Sequence, residues 1–233
     1  MTVQITVRSP GNREVRYEVR EDTNDAALII GILGSDEYQL AGMGELSGWA
    51  LDIGAHVGTV GLALAIDNPG LSVVCVEPVP GNADLIRHSI QMNNLADRVF
   101  MEEASAAALG TSTVPCHFDY TSHTIPDQGY VIQNRFIGNL WREGGEGTVI
   151  DAPAVSLKSL ADKYGADEWR LVKTDCEGCE WQVFTTDASL CAEIIGEWHD
   201  GPFSRIETLL KKTHKTTLLT DYGGSGIFRA VRK

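Results

Sequence analysis

Residues 51–65 read LDIGAHVGTVGLALA. A short apolar strand over 49–53 runs into a glycine-bearing turn. The turn opens an apolar helix over 59–66, which Asn68, Pro69 and Gly70 are suited to stop. Asp52, Gly54 and Gly58 make the pattern D-x-G-x-x-x-G at that turn. Glycines there allow the backbone to come close to a ligand, and the first turn of a helix offers unpaired N–H groups. The unit then repeats. SVVCV is a β-branched strand. Residues 82–94 carry a helical pattern with Leu85, Ile86, Ser89, Ile90 and Met92 near one side, and 99–103 form a third strand. Strand–helix–strand–helix–strand predicts an α/β fold, a mostly parallel sheet with helices on both faces.

An acidic residue, Glu77, ends the second strand 25 residues after Asp52. A carboxylate at that place can accept hydrogen bonds from both hydroxyls of a ribose. Gly54, Ala55, His56 and Gly58 of the turn, with Glu77 and Pro78, therefore outline an adenosine site at the mouth of the sheet. Glu103, ending the third strand beside Ala104, is placed to meet the adenine amino group. A dinucleotide fold would present G-x-G-x-x-G to a pyrophosphate, but Asp52 stands where the first glycine would be. Its carboxylate repels a pyrophosphate and suits a ligand with an ammonium group. S-adenosylmethionine has that ammonium, a sulfonium and an adenosine, and no phosphate. A tight turn and a solvated strand end are the plainer reading of the same residues.

The flanks are read around this unit. TVQITV and EVRYEV alternate about a Pro10-Gly11-Asn12 turn, which predicts a hairpin. A helix follows, with Asp22 or Thr23 as its cap. Residues 1–48 thus form a hairpin-and-helix extension packed on a domain of 49–233. Residues 111–150 lack a clean period and read as a strand-edged insertion, where acceptor specificity is expected to lie. Strands resume at 171–174 and 193–198, with helices near 180–184 and over 203–211. THKTTLLT and SGIFRAV then close the chain around a turn at Tyr222, Gly223 and Gly224.

Composition bounds the partners. The chain has 233 residues, 43% hydrophobic and 22% charged, enough for one large domain with a real core. No apolar run reaches membrane-spanning length and the N-terminus is unlike a signal peptide, so a cytoplasmic protein is expected. A formal net charge of −13 argues against nucleic acid as a partner and leaves a small molecule as the expected one.

LDIGAHVGTVGLALA, VVCVEPVPGNADLIRHSIQMNN and AVSLKSLADKYGADEWRLVKTDCEGCEWQVF together resemble the FkbM-type methyltransferases, in order and spacing, across about 20–200. The resemblance implies a Rossmann-like class I methyltransferase with a seven-stranded sheet. It also implies S-adenosylmethionine as cofactor and methylation of an oxygen of a natural product, sugar or similar metabolite. His56 stands where the family commonly has Asn, Lys158 where it has Asp, and Thr174 where it has Ile. Cys176 and Cys179 occupy the places of a Val and an Ala. With an odd total of five cysteines and no second ligand pair at finger spacing, they read as packed free thiols rather than as a redox or zinc pair.

Methyl transfer needs alignment and, often, removal of a proton from the acceptor. Asp52, Glu77 and Asp175 end three strands, and Glu197 and His199 end another. His199, whose ordinary pKa lies near neutrality, is the expected general base, with Asp175 bordering both ligands and Glu197 beside it. Glu177 and Glu180 read equally as acids at a helix N-terminus. Asp175, Glu177, Glu197, His199 and Asp200 could also hold Mg²⁺, though no spacing is diagnostic of a metal. The rival classes are a nicotinamide-dependent oxidoreductase, a noncatalytic nucleoside-binding module, and an RNA or protein methyltransferase.

Overall fold

A computed structural model describes residues 1–118, 148–199 and 201–233. The chain opens with a hairpin, β1 (Thr2–Arg8) and β2 (Glu14–Arg20), and helix α1 (Asp25–Ser35). Then come β3 (Gly48–Ile53), α2 (Thr59–Asp67), β4 (Leu71–Val76), α3 (Pro80–Met92) and β5 (Val99–Glu102). A smaller group, β6 (Ser105–Ala106), β7 (Thr113–Phe118) and β8 (Thr148–Val155), leads to α4 (Leu157–Tyr164). The last stretch is β9 (Leu171–Thr174), α5 (Glu180–Val183), β10 (Glu193–Trp198), α6 (Phe203–Leu210), β11 (His214–Asp221) and β12 (Gly226–Arg232).

Seven strands form the main sheet in the order β11-β12-β10-β9-β3-β4-β5. The pairs β10–β9, β9–β3, β3–β4 and β4–β5 are parallel, and β12 runs antiparallel to both β10 and β11. The chain leaves β3 toward β4 and returns later to β9 on its other side. In such sheets the crevice at this reversal, beyond the carboxyl ends of the strands, is where ligands bind. Helices cover both faces, so the inner strands are buried on both sides and read as continuous apolar runs.

The N-terminal hairpin has no core of its own. Every residue of α2 from Thr59 to Ala65 is buried. A helix buried all round needs cover on two sides. The sheet supplies one, and Val15, Tyr17 and Val19 of β2 supply the other, in one continuous cluster. The Tyr17 hydroxyl donates to the Thr59 carbonyl at 2.8 Å. Leu157, Leu160, Val183, Ile206 and Leu210 of α4, α5 and α6 pack on the opposite face. Among the described residues no helix is long and apolar enough to cross a membrane.

One local reading changes, one helix is added and the edges of the insertion are defined. Neither Asp22 nor Thr23 is the N-cap of α1; that position falls to Asn24, without a side-chain cap bond. Thr23 Oγ1 instead accepts from the Asp25 N–H, and the Asp25 carboxylate is taken by Arg20. Helix α4, unread in the sequence, starts at a capping box between Ser156 and Ser159. The edges of the expected 111–150 insertion are β7 and β8, paired antiparallel, with β6 parallel to β8. The rest of that insertion, and Asp200, lie outside the described residues.

Asp52 and Lys173 face each other across the parallel pair β3–β9. They are 0% and 4% exposed. Asp52 Oδ2 accepts from the Gly61 N–H at 2.7 Å, and its Oδ1 is balanced by the Lys173 ammonium at 3.2 Å. The same ammonium donates to the Gly54 carbonyl at 3.0 Å. Burial alone would lower the lysine's pKa, but Asp52 and then Asp175 outweigh this and raise it. Lys173→Met should destabilise the fold by about 3–5 kcal/mol, because it leaves a buried carboxylate without its cation. The check is a lower urea midpoint at unchanged slope; an unchanged midpoint would mean that Asp52 does not depend on this lysine.

Candidate active site

The turn after β3 is shaped by a close approach. Gly54 has φ +71°, and a Cβ there would lie 1.9 Å from the Asp175 carbonyl oxygen. The exits of β3 and β9 therefore touch, which only glycine permits. His56 also lies in the left-handed region, at φ 52°. Asn and His are both enriched there, so His in place of the family's Asn keeps the same turn. Its Nε2 stands 3.7 Å from Asp25 Oδ1. Desolvation, partly opposed by Asp25, pulls the imidazole pKa below its ordinary range.

Glu77 follows β4 and is 5% exposed. Its Oε2 accepts from the His56 N–H at 2.9 Å, and its Oε1 accepts from the Val79 N–H and from Asn82 Nδ2, both at 3.1 Å. Burial outweighs these bonds and pushes the pKa up to about 7. Asn82 Oδ1 in turn accepts from Arg20 Nη2 at 2.9 Å, tying the carboxylate to the N-terminal extension.

These groups border an open cleft at the carboxyl ends of the strands. Gly54, Ala55 and His56 line it from the turn, Glu77 and Pro78 from the end of β4, and Ala104 from the end of β5. Asp175, Glu197 and His199 line its other side. Asp52, Gly58 and Glu103 do not line it. Asp52 is buried beneath the turn and spends its charge on Lys173, so the ammonium it answers is the protein's own. Gly58 is the left-handed N-cap of α2. Glu103 faces outward and pairs with Arg87 at 2.8 Å.

The far side of the cleft is a charge cluster around His199. Glu180, 0% exposed, accepts through Oε1 from the His199 N–H at 2.7 Å and stands 3.2 Å from Nδ1. Nε2 lies 3.6 Å from Glu177, 3.7 Å from Glu197 and 3.9 Å from Asp175. Burial works against protonation, but the Glu180 hydrogen bond and the charges of Glu177, Glu180 and Asp175 hold the imidazole pKa up at about 10. A pKa held that high favours the imidazolium at neutral pH, which sets the surroundings of His199 against the general-base expectation. For Glu197, burial first, then the Asp175 charge, push the carboxyl up to about 7. Glu180 is less a capping acid than a clamp. Its Oε2 accepts from the Gly178 N–H at 3.0 Å, so one buried side chain joins the loop after β9 to the end of β10.

Cys176 and Cys179 are joined by a disulfide in the wall of the cleft, and are not the packed free thiols expected. Glu177 at φ 53° and Gly178 at φ 113° turn the chain left-handed twice between them, which brings the two sulfurs together. Asp175, Glu177 and His199 each offer an atom within 4.8 Å of the others, a grouping open to a cation. An imidazole in that set suits a transition metal better than Mg²⁺, and its Nδ1 is already engaged by Glu180.

The model of the methyltransferase FkbM domain matches residues 52–223. The chain belongs to this family. Among solved structures, this FkbM domain shares its fold with M. capricolum TrmK in complex with S-adenosylhomocysteine, at a TM-score of 0.51 and 7% identity over 84% of this chain and 66% of that one. It shares it equally with the T. thermophilus 16S rRNA N2 G1207 methyltransferase RsmC in complex with AdoMet and guanosine, at 0.50 and 12%, over 100% and 51%. A third is the precorrin-6y C5,15-methyltransferase of Geobacter metallireducens, at 0.50 and 11%, over 92% of each. The chain spans 66% and 51% of the first two. The shared architecture is that of the class I methyltransferases. RsmC is a 16S rRNA methyltransferase and the Geobacter protein a precorrin methyltransferase, so the shared fold leaves the acceptor type open. No curated protein sequence matches the chain.

Two residues of the cleft carry almost no sequence signal of their own. Leu28 and Ile32 of α1 line the cleft from outside the matched span, and only their i, i+4 spacing hints at a shared face. Lys173 had a clearer mark, a single charge inside the buried strand LVKT. The disulfide is directly testable. Denatured without reductant, the protein should show three reactive thiols, Cys75, Cys116 and Cys191. After reduction it should show all five. Five thiols before reduction would restore the free-thiol reading.

Proposed function

We propose that this chain is an S-adenosylmethionine-dependent O-methyltransferase acting on a small hydroxylated metabolite. The observation that carries the cofactor is Glu77, a buried carboxylate at the glycine turn with its pKa raised to about 7 and its face open to the cleft. Bound S-adenosylmethionine supplies an electrophilic methyl group on a sulfonium. The residues present suit that molecule. The cleft is concave and lined mainly by apolar side chains with a few polar groups among them, the make-up of a small-molecule site. Glu77 can accept from ribose hydroxyls, and Val79, Ala104 and Ala106 offer apolar wall for a base. Asp175 and Glu177 put negative charge at the opposite end, which favours a cationic ligand and opposes the pyrophosphate of a nicotinamide cofactor.

For the reaction, Glu197 is the group that takes the acceptor's hydroxyl proton, since a general base works best with a pKa near the working pH. The His199 imidazolium keeps the neighbouring carboxylates together without neutralising them all. Leu28, Ile32 and Cys116 add apolar surface to the lining of the cleft, which suits an acceptor with an apolar part. A surface of net charge −13 opposes a phosphate backbone.

Calorimetric titration with S-adenosylhomocysteine should show binding, and Glu77→Ala should weaken it by about 1.5–3 kcal/mol, the range for a hydrogen bond to a charged group. Ribose hydroxyls favour the ionised carboxylate, so binding expels the Glu77 proton. Affinity should then rise with pH up to about 7 and level off above it. Stabilisation by NAD and none by S-adenosylhomocysteine would overturn the cofactor. In a tritiated-methyl screen over hydroxylated metabolites, Glu197→Gln should lower turnover by roughly 10²–10⁴-fold with little change in S-adenosylhomocysteine affinity. Transfer to RNA or protein, and to no metabolite, would overturn the acceptor class.

A further inference from the structure

The segment that precedes the matched residues 52–223 reaches the cleft on both sides. On the ribose side it acts through Arg20, Asn82 and Glu77. On the other side it acts through Tyr38. This residue sits in a turn fixed by Asp36, whose carboxylate accepts from the Leu40 N–H at 2.7 Å and the Ala41 N–H at 3.1 Å. Tyr38 is 2% exposed, and its hydroxyl donates to Asp175 Oδ2 at 2.9 Å. Its ring lies 5.5 Å from the Lys173 ammonium, the cation that anchors the glycine turn. Burial, then the charges of Asp175, Glu37 and Glu197, push the phenol pKa far above its ordinary value, so the hydroxyl keeps its proton and serves as a donor.

Asp175 stands between two claims. Its Oδ1 is 3.9 Å from the His199 imidazolium, while Oδ2 is held by Tyr38. Without the phenol, the carboxylate is free to swing wholly toward His199. We propose that Tyr38 is a positioning residue that holds the Asp175 carboxylate toward the sulfonium of S-adenosylmethionine, so that the site binds the charged cofactor in preference to its neutral product, S-adenosylhomocysteine. The inference rests on the functional reading above, with the sulfonium end of the cofactor beside Asp175. Transfer of the methyl group removes the positive charge, and the pairing with Asp175 ends with it. The aligned carboxylate therefore favours cofactor binding before the reaction and product release after it.

The ratio of two affinities tests this without an acceptor. Dissociation constants for S-adenosylmethionine and S-adenosylhomocysteine are measured by calorimetry at one pH and salt concentration, for the wild type, Tyr38→Phe and Asp175→Asn. The wild type should prefer S-adenosylmethionine. Tyr38→Phe keeps the buried ring, so it should hold S-adenosylhomocysteine within about twofold of wild type while losing roughly tenfold for S-adenosylmethionine, the scale of a hydrogen bond to a charged group. Asp175→Asn should abolish the preference as well. Equal weakening for both compounds would make Tyr38 a structural wall and overturn the proposal, as would an unchanged ratio. If Tyr38→Phe does not fold, an unchanged ratio in Asp175→Asn overturns it. A wild type that binds neither compound would remove the cofactor reading itself, a different failure from a wild type that binds both and a variant that does not discriminate.

Discussion

The Lys173–Asp52 pair joins the two strands from which the site hangs. Strands β3 and β9 lie side by side at the reversal of the sheet, and each leads directly into a loop of the cleft. Lysine and aspartate are rarely buried unless paired. Here the ammonium also takes the Gly54 carbonyl and the carboxylate takes the Gly61 N–H. Turn, helix start and neighbouring strand are thus set by one buried charge pair. The close contact of Gly54 with the Asp175 carbonyl follows from that alignment. Replacing both partners by apolar groups could preserve packing, but it would leave the Gly61 N–H and the Gly54 carbonyl to find new partners.

Charge in the cleft is arranged by surroundings rather than by residue type. Two carboxyls, Glu77 and Glu197, are lifted to about 7 because they are withdrawn from water. One histidine, His199, is lifted to about 10 because carboxylates surround it. The ordinary order of acid and base is thereby inverted: a glutamate is poised near neutrality and a histidine holds its proton. Identity alone would assign these roles the other way round, and environment is what separates like groups into different tasks.

That inversion marks what the sequence could and could not show. The parallel sheet, the glycine turn and the placement of Glu77 were legible because they rest on short-range patterns: apolar runs, glycine spacing, an acid at a strand end. The hairpin was legible from its alternation. Tyr38 was not, because its partner lies 137 residues away and nothing local sets it apart. The bond between Cys176 and Cys179 was missed because it depends on left-handed backbone at Glu177, a residue type that seldom adopts it. The position of Asp52 at the turn was legible but its cation was not, since Lys173 meets it only through strand pairing.

The all-round burial of α2 separates two meanings of a domain boundary. By shared motif, the unit of descent covers 52–223. By packing, the unit of folding begins at the hairpin, since Val15, Tyr17 and Val19 close the outer side of α2. A chain trimmed to the span of its motif would present that side to water as a continuous greasy strip next to the nucleotide turn. Such a fragment would be prone to self-association. The first twenty residues, unremarkable as a motif, thus cover the outer side of the motif's first helix.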